Sequence, residues 1–428
     1  MATPTNGPVY SQSYLRYALG LLVIVYTFNF IDRQILVILQ ESIKQEMGLS
    51  DGQLGLLSGF TFAIFYVTLG LPIARIADRG NRRNVISWSI GFWSAMTAIA
   101  GFVQSFPQLV AARIGVGIGE AGGSPPAHAL ISDYFPPKER GRALSIYSMG
   151  VYLGVLFGYV AGGWLNQLFG WRVAFVVVGV PGLAIAVLLR LTIREPVRGQ
   201  WDATAARREA PPLRTAVTTL WSLRSFRYLA LAAGLSAFVT YGTGNFAPSF
   251  LARTFQLTPG QIGTALGLIG GLCGMAGTYL GGFLGDRLGA RDIRWYLWIP
   301  ALLTILALPI RVASYAVPDP ALALALKGVS ELMALTFLGP VIAMSHALVA
   351  PGMRAFTSSV LFFVLNLVGL GLGPVFTGFL SDALLPRFGA DGLRWAMAVT
   401  TLAWLPASAL YLLAASTLRR DIGRGVAQ

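Results

Sequence analysis

The stretch Leu21–Leu39 reads LLVIVYTFNFIDRQILVIL, and it places an adjacent acid and base, Asp32 and Arg33, inside an otherwise apolar run. The run is long enough to cross the ~30 Å hydrocarbon layer of a bilayer as one α-helix. A charged side chain at that depth costs roughly 2.5–3.5 kcal/mol or more unless it is paired or hydrated. Ionisable residues in such a run therefore predict a polar pathway through the membrane.

A second stretch repeats this pattern. Leu109–Leu130 reads LVAARIGVGIGEAGGSPPAHAL and contains Arg113 and Glu120. These two residues are about 700° of helical rotation apart, so they share one helix face about 10 Å apart along the axis. We expect Asp32, Arg33 and Arg113 to lie in one layer in the outer third of their helices, with Glu120 near the midplane.

The composition is that of a polytopic membrane protein. Of the 428 residues, 55% are hydrophobic and only 12% are charged, and the mean hydropathy is +0.65. These values argue against a soluble enzyme with a large core. Twelve apolar runs predict an all-α fold with twelve transmembrane helices in two pseudo-symmetric six-helix bundles. The predicted spans are 14–39, 54–75, 84–104, 108–134, 141–167, 172–193, 225–252, 261–285, 295–317, 321–349, 354–384 and 393–417.

The net charge of +14 is distributed as in a membrane protein rather than a nucleic-acid-binding protein. With the N-terminus inside, 23 of the 32 Lys and Arg fall in cytoplasmic segments and seven fall in external ones. This bias follows the positive-inside rule, which predicts that both termini are cytoplasmic. We expect no nucleic-acid partner.

Three further features bear on location. Met1–Ser13 lacks a basic n-region, so no cleaved signal peptide is expected. The single cysteine, Cys273, lies in an apolar run, so no disulfide can form within one chain. No Asn-x-Ser/Thr sequon occurs. We therefore expect a multi-pass protein of the bacterial inner membrane.

A polar segment divides the chain into two halves. Arg194–Arg224 is the longest non-apolar stretch, so the predicted domains are 1–193 and 225–428, joined by a cytoplasmic linker at 194–224. Charged motifs recur across the halves at intervals of 208, 214 and 223 residues. This spacing indicates a duplicated six-helix unit.

The halves and their loop motifs resemble the major facilitator superfamily. The run Gly281–Arg291 is similar to the signature that follows the eighth helix in that family, and Ala74–Arg83 is its first-half partner. Arg113–Gly119 resembles the fourth-helix motif, and Pro137–Ala143 resembles the loop that follows it. The motifs occur in the order that the family requires.

Three motifs narrow the resemblance to the Spinster branch of that superfamily: Asn29–Arg33, Gly117–Ala121 and Arg194–Gly199. This closer similarity covers about the first 200 residues, and the second half resembles the superfamily only in general. The resemblance implies transport of a lysolipid or sphingolipid-type molecule.

Chemistry separates the roles of the buried acids and arginines. A carboxyl group whose neighbours change between two conformations can bind a proton in one and release it in the other, so Asp32 and Glu120 are the predicted proton carriers. Arginine keeps its proton and its planar fork matches carboxylate or phosphate, so Arg33 and Arg113 are the predicted anion-binding residues. Two plainer alternatives stay open. The first helix ends near Ile31 and leaves the first pair at the interface, or the second pair is a static buried ion pair.

The second half offers no comparable charge and is expected to accommodate an apolar chain. Lys327 and Glu331 are four residues apart and are expected to pair with each other near the outer end of the tenth helix. Polar side chains in the seventh and eleventh spans serve either as helix contacts or as substrate contacts. The remaining predicted substrate-binding residues are Asn29, Thr240, Tyr241, Asn366 and Glu331.

Charged residues at the inner helix ends are the predicted gating residues. By resemblance, they join networks that break and re-form as the halves rock; the alternative for each acid is a solvated loop residue that completes a turn. The predicted gating residues are Asp78, Arg79, Asp286, Arg287 and Arg140.

These observations together predict a monomeric, proton-coupled secondary transporter that moves an amphipathic anionic molecule across the bilayer by alternating access. A lysolipid or sphingoid phosphate would fit a charged first half and an apolar second half. The alternative is an organic-acid or multidrug exporter of the same superfamily. A channel or a membrane enzyme is disfavoured because neither a ring of pore-lining charges nor a catalytic constellation is present. We expect no cofactor and no metal.

Overall fold

The computed structural model of the chain describes residues 10–199, 201 and 213–425, without the side chains at 71, 74, 78, 213 and 423–425. Within these ranges it is helical, with no β-strand. The α-helices are α1 Gln12–Met47, α2 Asp51–Ser58, α3 Phe60–Arg79, α4 Arg82–Ala100, α5 Phe106–Glu120, α6 Ser124–Tyr134, α7 Pro137–Thr192, α8 Leu213–Ser222, α9 Arg224–Phe255, α10 Pro259–Leu268, α11 Gly274–Gly289, α12 Trp295–Ala316, α13 Pro320–Ala334, α14 Leu338–Ala347, α15 Arg354–Val364, α16 Gly373–Phe388, α17 Gly392–Thr401 and α18 Trp404–Gly425. Two π-helical segments, Ile269–Cys273 and Leu365–Leu372, join α10 to α11 and α15 to α16.

The helices follow the predicted spans. Each of the twelve predicted spans lies mainly on helical residues, with short turns inside some of them, such as 121–123. Seven helical stretches within the described ranges are long and apolar enough to cross a membrane. Two of these, Pro137–Thr192 and Pro351–Ile422, each contain two predicted spans. The all-α, polytopic fold is therefore confirmed.

Gly170 separates the two spans that α7 contains. A straight helix of 56 residues would be about 84 Å long, far more than the ~30 Å that a bilayer requires. At Gly170 the backbone has φ 82° and ψ 165°, a conformation that lacks helical geometry and that glycine adopts readily. The chain therefore turns where the sequence predicts a loop between spans.

The chain divides into two compact units. The first consists of the described residues of Met1–Leu39 and Phe65–Arg207, and the second of those of Gln40–Ile64 and Arg208–Gln428. The end of α1, all of α2 and the start of α3 thus pack within the second unit. The predicted linker 194–224 lies partly outside the described residues, and its role as a domain boundary stays a prediction.

Two helix starts preserve the internal repeat. Ser50 and Gln53 form a capping box at the start of α2, and Thr258 and Gln261 form the same capping box at the start of α10. In each box the hydroxyl accepts from the N3 backbone N–H and the glutamine accepts from the backbone N–H of the cap, so two unpaired helix donors are satisfied. The boxes are 208 residues apart, the same interval as the Asp-Arg motifs.

Glycines allow close helix packing in both units. In the first unit a Cβ at Gly154 would lie 2.5 Å from the carbonyl oxygen of Thr27, so α7 and α1 touch backbone to backbone. A Cβ at Gly179 would meet the α4 backbone at 2.6 Å. In the second unit, Gly277 of α11 lies directly against the backbone near the end of α13. Gly281 of α11 lies against the backbone of the segment that follows α13. Small residues are what such contacts require in a membrane protein.

Candidate functional site

Helices α1 and α5 bring the four predicted charged residues together inside the first unit. The guanidinium Nε of Arg33 lies 2.7 Å from Oε2 of Glu120 and donates a hydrogen bond to it. Arg113 donates a longer bond, 3.4 Å, to the backbone carbonyl of Asp32. Glu120 therefore pairs with the arginine of the other helix. The alternative of a static pair between Arg113 and Glu120 on one helix is not what the geometry shows.

The cluster is buried. Asp32 and Glu120 are each 1% exposed and Arg113 is 7% exposed. The alternative that α1 ends near Ile31 is wrong, because the helix continues to Met47 and keeps Asp32 inside the unit. Two carboxylates and two guanidiniums in this cluster sum to zero charge when all are ionised, which limits the cost of their burial.

Several acceptor atoms in the cluster are unused. Neither carboxylate oxygen of Asp32 has a hydrogen-bond partner among the described residues, and the same holds for Oε1 of Glu120 and Oδ1 of Asn29. Asp32 also lines a small crevice with Thr97 and Arg113. Buried acceptors without partners are rare, and each one marks a place where a proton, a water molecule or a ligand would be stabilised.

Aromatic rings hold Arg33 in place. Its guanidinium lies 4.8 Å from the ring centroid of Tyr66 and 5.0 Å from that of Phe30. Each contact of this kind contributes about 0.5–2 kcal/mol. Arg33 is thus fixed on its apolar side and bonded to Glu120 on its polar side.

The second unit also contains a buried ionic cluster, which corrects the expectation that the second half carries no comparable charge. The predicted pairing of Lys327 with Glu331 is present at 3.3 Å. Glu331 is held more closely by Arg311, at 2.6 Å, and Arg311 is 2% exposed. Arg311 is absent from the residues predicted from the sequence. The signal was present, because this arginine lies inside the apolar span 295–317 just as Arg113 lies inside its own span.

The other predicted substrate-binding residues of this unit make local contacts. The hydroxyl of Thr240 donates to the backbone carbonyl of Ser236, and the amide of Asn366 donates to that of Phe362. Tyr241 packs against the apolar core of the unit. Contact of any of these residues with a substrate stays a prediction.

Three of the predicted gating residues, Arg79, Asp286 and Arg287, are exposed near the ends of their helices. Asp286 accepts a hydrogen bond from the hydroxyl of Tyr296 at 2.7 Å, and Arg287 is exposed. Arg140 donates to the backbone carbonyl of Ser132 at 2.7 Å, and Arg79 is exposed. The side chain of Asp78 lies outside the described residues. A gating role for each of them stays a prediction.

A cluster at the start of α4 was not predicted. Arg82 forms ion pairs with Asp133 at 2.5 Å and with Glu195 at 2.7 Å, and it is 5% exposed. Glu195 also accepts from the backbone N–H of Arg83, and Asp133 accepts from that of Gly199. The segment after α7 is thereby tied to the α3–α4 turn and to α6.

A second unpredicted cluster lies within the second unit. Arg253 donates to Glu41 at 2.7 Å and to both carboxylate oxygens of Asp51, at 2.7 and 2.8 Å. Lys44 also bonds Asp51 at 2.6 Å. Asp382 accepts from the first two backbone N–H groups of α2, at 2.9 and 2.8 Å, as a helix start requires. The cluster joins the end of α1 and the start of α2 to α9 and α16.

No group of three or more potential metal ligands occurs in the part of the chain that the structure describes.

Comparison with known proteins identifies the family. The sequence profile of the Major Facilitator Superfamily matches residues 22–374. The chain is 37% identical over 411 residues to an MFS-type efflux pump of Mycolicibacterium smegmatis, covering 95% of this chain and 94% of that protein. It is 33% identical to the human protein spinster homolog 1 over 251 residues, 56% of this chain and 46% of the human protein.

The fold comparison gives the same result. The crystal structure of a bacterial homolog of the human lysosomal transporter Spinster, in an inward-facing and unoccupied conformation, matches with a TM-score of 0.90 at 34% identity, covering 96% of this chain and 99% of that chain. The two pseudo-symmetric helix bundles predicted from the sequence are those of this fold. The chain therefore belongs to the major facilitator superfamily, in its Spinster-like branch, and is a polytopic membrane transporter.

Proposed function

We propose that the protein is a proton-coupled secondary transporter that moves an amphipathic, anionic, lipid-like molecule by alternating access. The observation that carries this proposal is the buried cluster of the first unit, in which both oxygens of Asp32 lack a hydrogen-bond partner among the described residues. A lysolipid or sphingoid phosphate is the substrate class that the Spinster-like resemblance implies. The bacterial inner membrane, with both termini cytoplasmic, is the location that the charge distribution favours.

Charge balance explains how a proton and an anion would be coupled. The four ionised groups sum to zero, and a proton on Asp32 or Glu120 would raise the net charge of the cluster to +1. Burial makes that excess charge costly unless an anion approaches. Arg113 and Arg33 carry the fixed positive charge, and their planar forks match a phosphate or carboxylate group.

Proteoliposomes test the proton-coupling step. Asp32→Asn and Glu120→Gln should fold and reach the membrane but lose the response of transport to a pH gradient. Asp391→Asn is a matched control, because it removes a carboxylate whose side chain is 55% exposed. If both buried variants respond to the gradient as the parent does, proton coupling through these two residues is excluded.

Arg113→Lys tests the anion-binding step. This change keeps the positive charge but removes the bidentate fork, so substrate affinity should fall without vanishing. Arg113→Ala should reduce the affinity further. Equal affinities of the parent and both variants would show that Arg113 is structural.

Export of organic acids or drugs is a second candidate function. It is favoured by the 37% identity to an efflux pump over almost the whole chain. A transport panel of lysophospholipids, fatty acids, small dicarboxylates and cationic drugs, each with and without a pH gradient, separates the two candidates. Transport of the drugs or small acids alone would favour the exporter.

The charged inner helix ends are proposed to regulate the gate. Asp78→Asn and Asp286→Asn should each raise the inward-open population, because each removes a carboxylate beside a basic cluster. Loss of a latch that contributes about 1–3 kcal/mol would change a rare conformation into a common one. Spin labels on the cytoplasmic helix ends would report the distances at acid and neutral pH. A single distribution that neither pH nor the substitutions alter would exclude this switch.

A further inference from the structure

The ionic cluster of the second unit has an excess of positive charge. Two basic side chains, Arg311 and Lys327, approach the same oxygen of Glu331, at 2.6 and 3.3 Å. Their side chains are 2% and 13% exposed, and that of Glu331 is 13% exposed. Among the described residues no other carboxylate pairs with either base. The net charge of the three ionised groups is therefore +1, whereas the net charge of the cluster in the first unit is zero.

Arg311 is fully engaged. Besides Glu331, its guanidinium donates to the hydroxyl of Ser330 at 2.6 Å and to that of Thr243 at 3.4 Å. It also lies 5.4 Å from the ring centroid of Trp404. A planar group held at this many points cannot turn towards a ligand without breaking several contacts, so Arg311 serves to position Glu331.

Lys327 has donors to spare. An ammonium group has three N–H donors, and within the described part of the chain Lys327 uses one of them, in the long bond to Glu331. A strongly hydrated ammonium that has lost its water needs other acceptors. Lys327 is thus the member of the cluster that can accept a new anionic partner at the lowest cost.

Two features of the cluster are suited to a ligand, one beside Arg311 and one beside Lys327. The hydroxyl of Tyr315, one turn after Arg311, is buried and has no hydrogen-bond partner among the described residues. Next to Lys327, Gly328 faces the π-helical segment Ile269–Cys273, where a Cβ would lie 3.7 Å from Sγ of Cys273. A π-helical turn leaves part of the helix bonding weakened, and such turns are frequent at functional sites.

We propose that Lys327 is the anion-binding residue of a second ligand subsite within the second unit. This subsite binds a carboxylate or phosphate group, while Arg311 and Glu331 hold Lys327 in position. This inference rests on the proposed function, because it assumes an anionic substrate. It adds a second place for an anionic group, built entirely from residues of the second unit and separate from Arg33 and Arg113.

Binding of three probes with the same acyl chain tests the subsite. The probes are 1-oleoyl lysophosphatidate with a phosphate, oleate with a carboxylate, and monooleoylglycerol without charge. They are titrated calorimetrically into the full chain in phosphatidylcholine nanodiscs, with empty nanodiscs as the blank. Lys327→Gln should weaken binding of at least one anionic probe by about tenfold or more, the effect of one charge-assisted hydrogen bond. Binding of the uncharged probe should not change.

Two further variants separate binding from structure. Lys327→Arg keeps the charge and should restore most of the affinity for the anionic probes. Lys138→Gln removes another of the three lysines of the chain, at an exposed position, and should have no effect. The two anionic probes show which group the subsite takes, since a phosphate site loses lysophosphatidate binding and a carboxylate site loses oleate binding.

The outcomes distinguish this inference from the proposed function. Suppose that the parent binds the anionic probes, that Arg113→Ala weakens this binding and that Lys327→Gln does not. The subsite is then excluded and the proposed function stands. If Lys327→Gln weakens all three probes equally, Lys327 is structural and the subsite is also excluded. If the parent binds neither anionic probe more tightly than the uncharged one, both proposals are overturned.

Discussion

The carboxylate of Glu120 has a single salt-bridge partner among the described residues, the guanidinium of Arg33. Arg33→Ala would leave this buried carboxylate without a direct ion pair, and we expect a loss of about 3–5 kcal/mol of stability. The measurement is thermal unfolding of the purified protein. Glu120→Gln added to Arg33→Ala should recover most of the loss, because an amide needs no counter-charge.

A double-mutant cycle gives the control. The coupling energy between positions 33 and 120 should exceed that between Arg33 and Asp32, because Glu120 accepts a hydrogen bond from Arg33 and the carboxylate oxygens of Asp32 accept none from the described residues. Additive effects of Arg33→Ala and Glu120→Gln would contradict the pairing.

A second prediction concerns pH and a loop outside the membrane. Hydrogen bonds from the side chain of Arg294 hold the pKa of the Asp292 carboxyl well below its ordinary value, and Arg419 adds a further charge at 2.9 Å. A lowered folded-state pKa means that the ionised carboxylate stabilises the fold above the unfolded pKa of about 3.9 and that this contribution is lost as pH falls towards the folded value. The melting temperatures of the parent and Asp292→Asn should differ at pH 7, and the difference should begin to shrink as the pH falls below about 4. A difference that is constant from pH 7 to pH 3 would contradict it.

Single charged residues were predictable from the sequence only in part. Asp32, Arg33, Arg113 and Glu120 stood out because each of the two apolar runs contains both an acid and an arginine. Arg311 lies six residues before the end of its predicted span, and a long basic side chain near a helix end usually extends to the interface. The sequence does not reveal that this side chain turns inward, because its direction depends on the acceptors that Glu331 and Ser330 supply from another helix.

At the scale of elements, the glycines of α7 determine how closely it packs on α1. Gly154→Ala would place a methyl group against the backbone of Thr27 and the side chain of Phe30, and neither can move without shifting α1. We expect a loss of about 1–3 kcal/mol, the usual cost of overpacking, measured as a lower melting temperature.

Gly141→Ala is the matched control for this packing prediction. It lies in the same helix, and a Cβ there meets nothing within 4 Å. Because alanine loses less backbone entropy on folding than glycine, we expect no loss and a gain of up to about 1 kcal/mol. Equal destabilisation by both substitutions would show that helix propensity, not the contact with α1, is what matters.

Elements were more predictable than their interruptions. Hydropathy located the helical spans because every span must remain apolar over the thickness of the bilayer. It did not reveal the turn at Gly59 between α2 and α3 or the π-helical segments, because these keep the same apolar composition while changing only the backbone. Gly170 lay in a predicted loop, just before the Trp171-Arg172 motif that precedes the sixth span.

At the scale of the whole molecule, the second unit contains residues 40–64, which come from the first half of the sequence. The fragment 208–428 expressed alone would therefore lack Glu41 and Asp51, the partners of Arg253. We expect it to be digested by protease faster than the same fragment co-expressed with 1–207. Arg253→Met should protect the lone fragment, because it removes an unpaired buried charge, and should destabilise the full chain by about 3–5 kcal/mol.

A lone fragment as resistant to protease as the co-expressed pair would contradict this prediction. The prediction would also be contradicted if Arg253→Met changed the stability of the fragment and of the full chain in the same direction. The opposite signs are the specific expectation, because the same side chain is paired in one case and isolated in the other.

The ion pairs of Arg253 also have a consequence for biosynthesis. Asp51 leaves the ribosome about 200 residues ahead of Arg253, and at about 5–20 residues per second the interval is roughly 10–40 s. Of the two basic residues that pair with Asp51 in the described structure, the nascent chain then contains only Lys44, seven residues before it. The end of α1 and the start of α2 are therefore among the first segments to be synthesised and among the last to reach their final contacts, so a pause in translation before Arg253 would prolong the period in which they are exposed to membrane proteases.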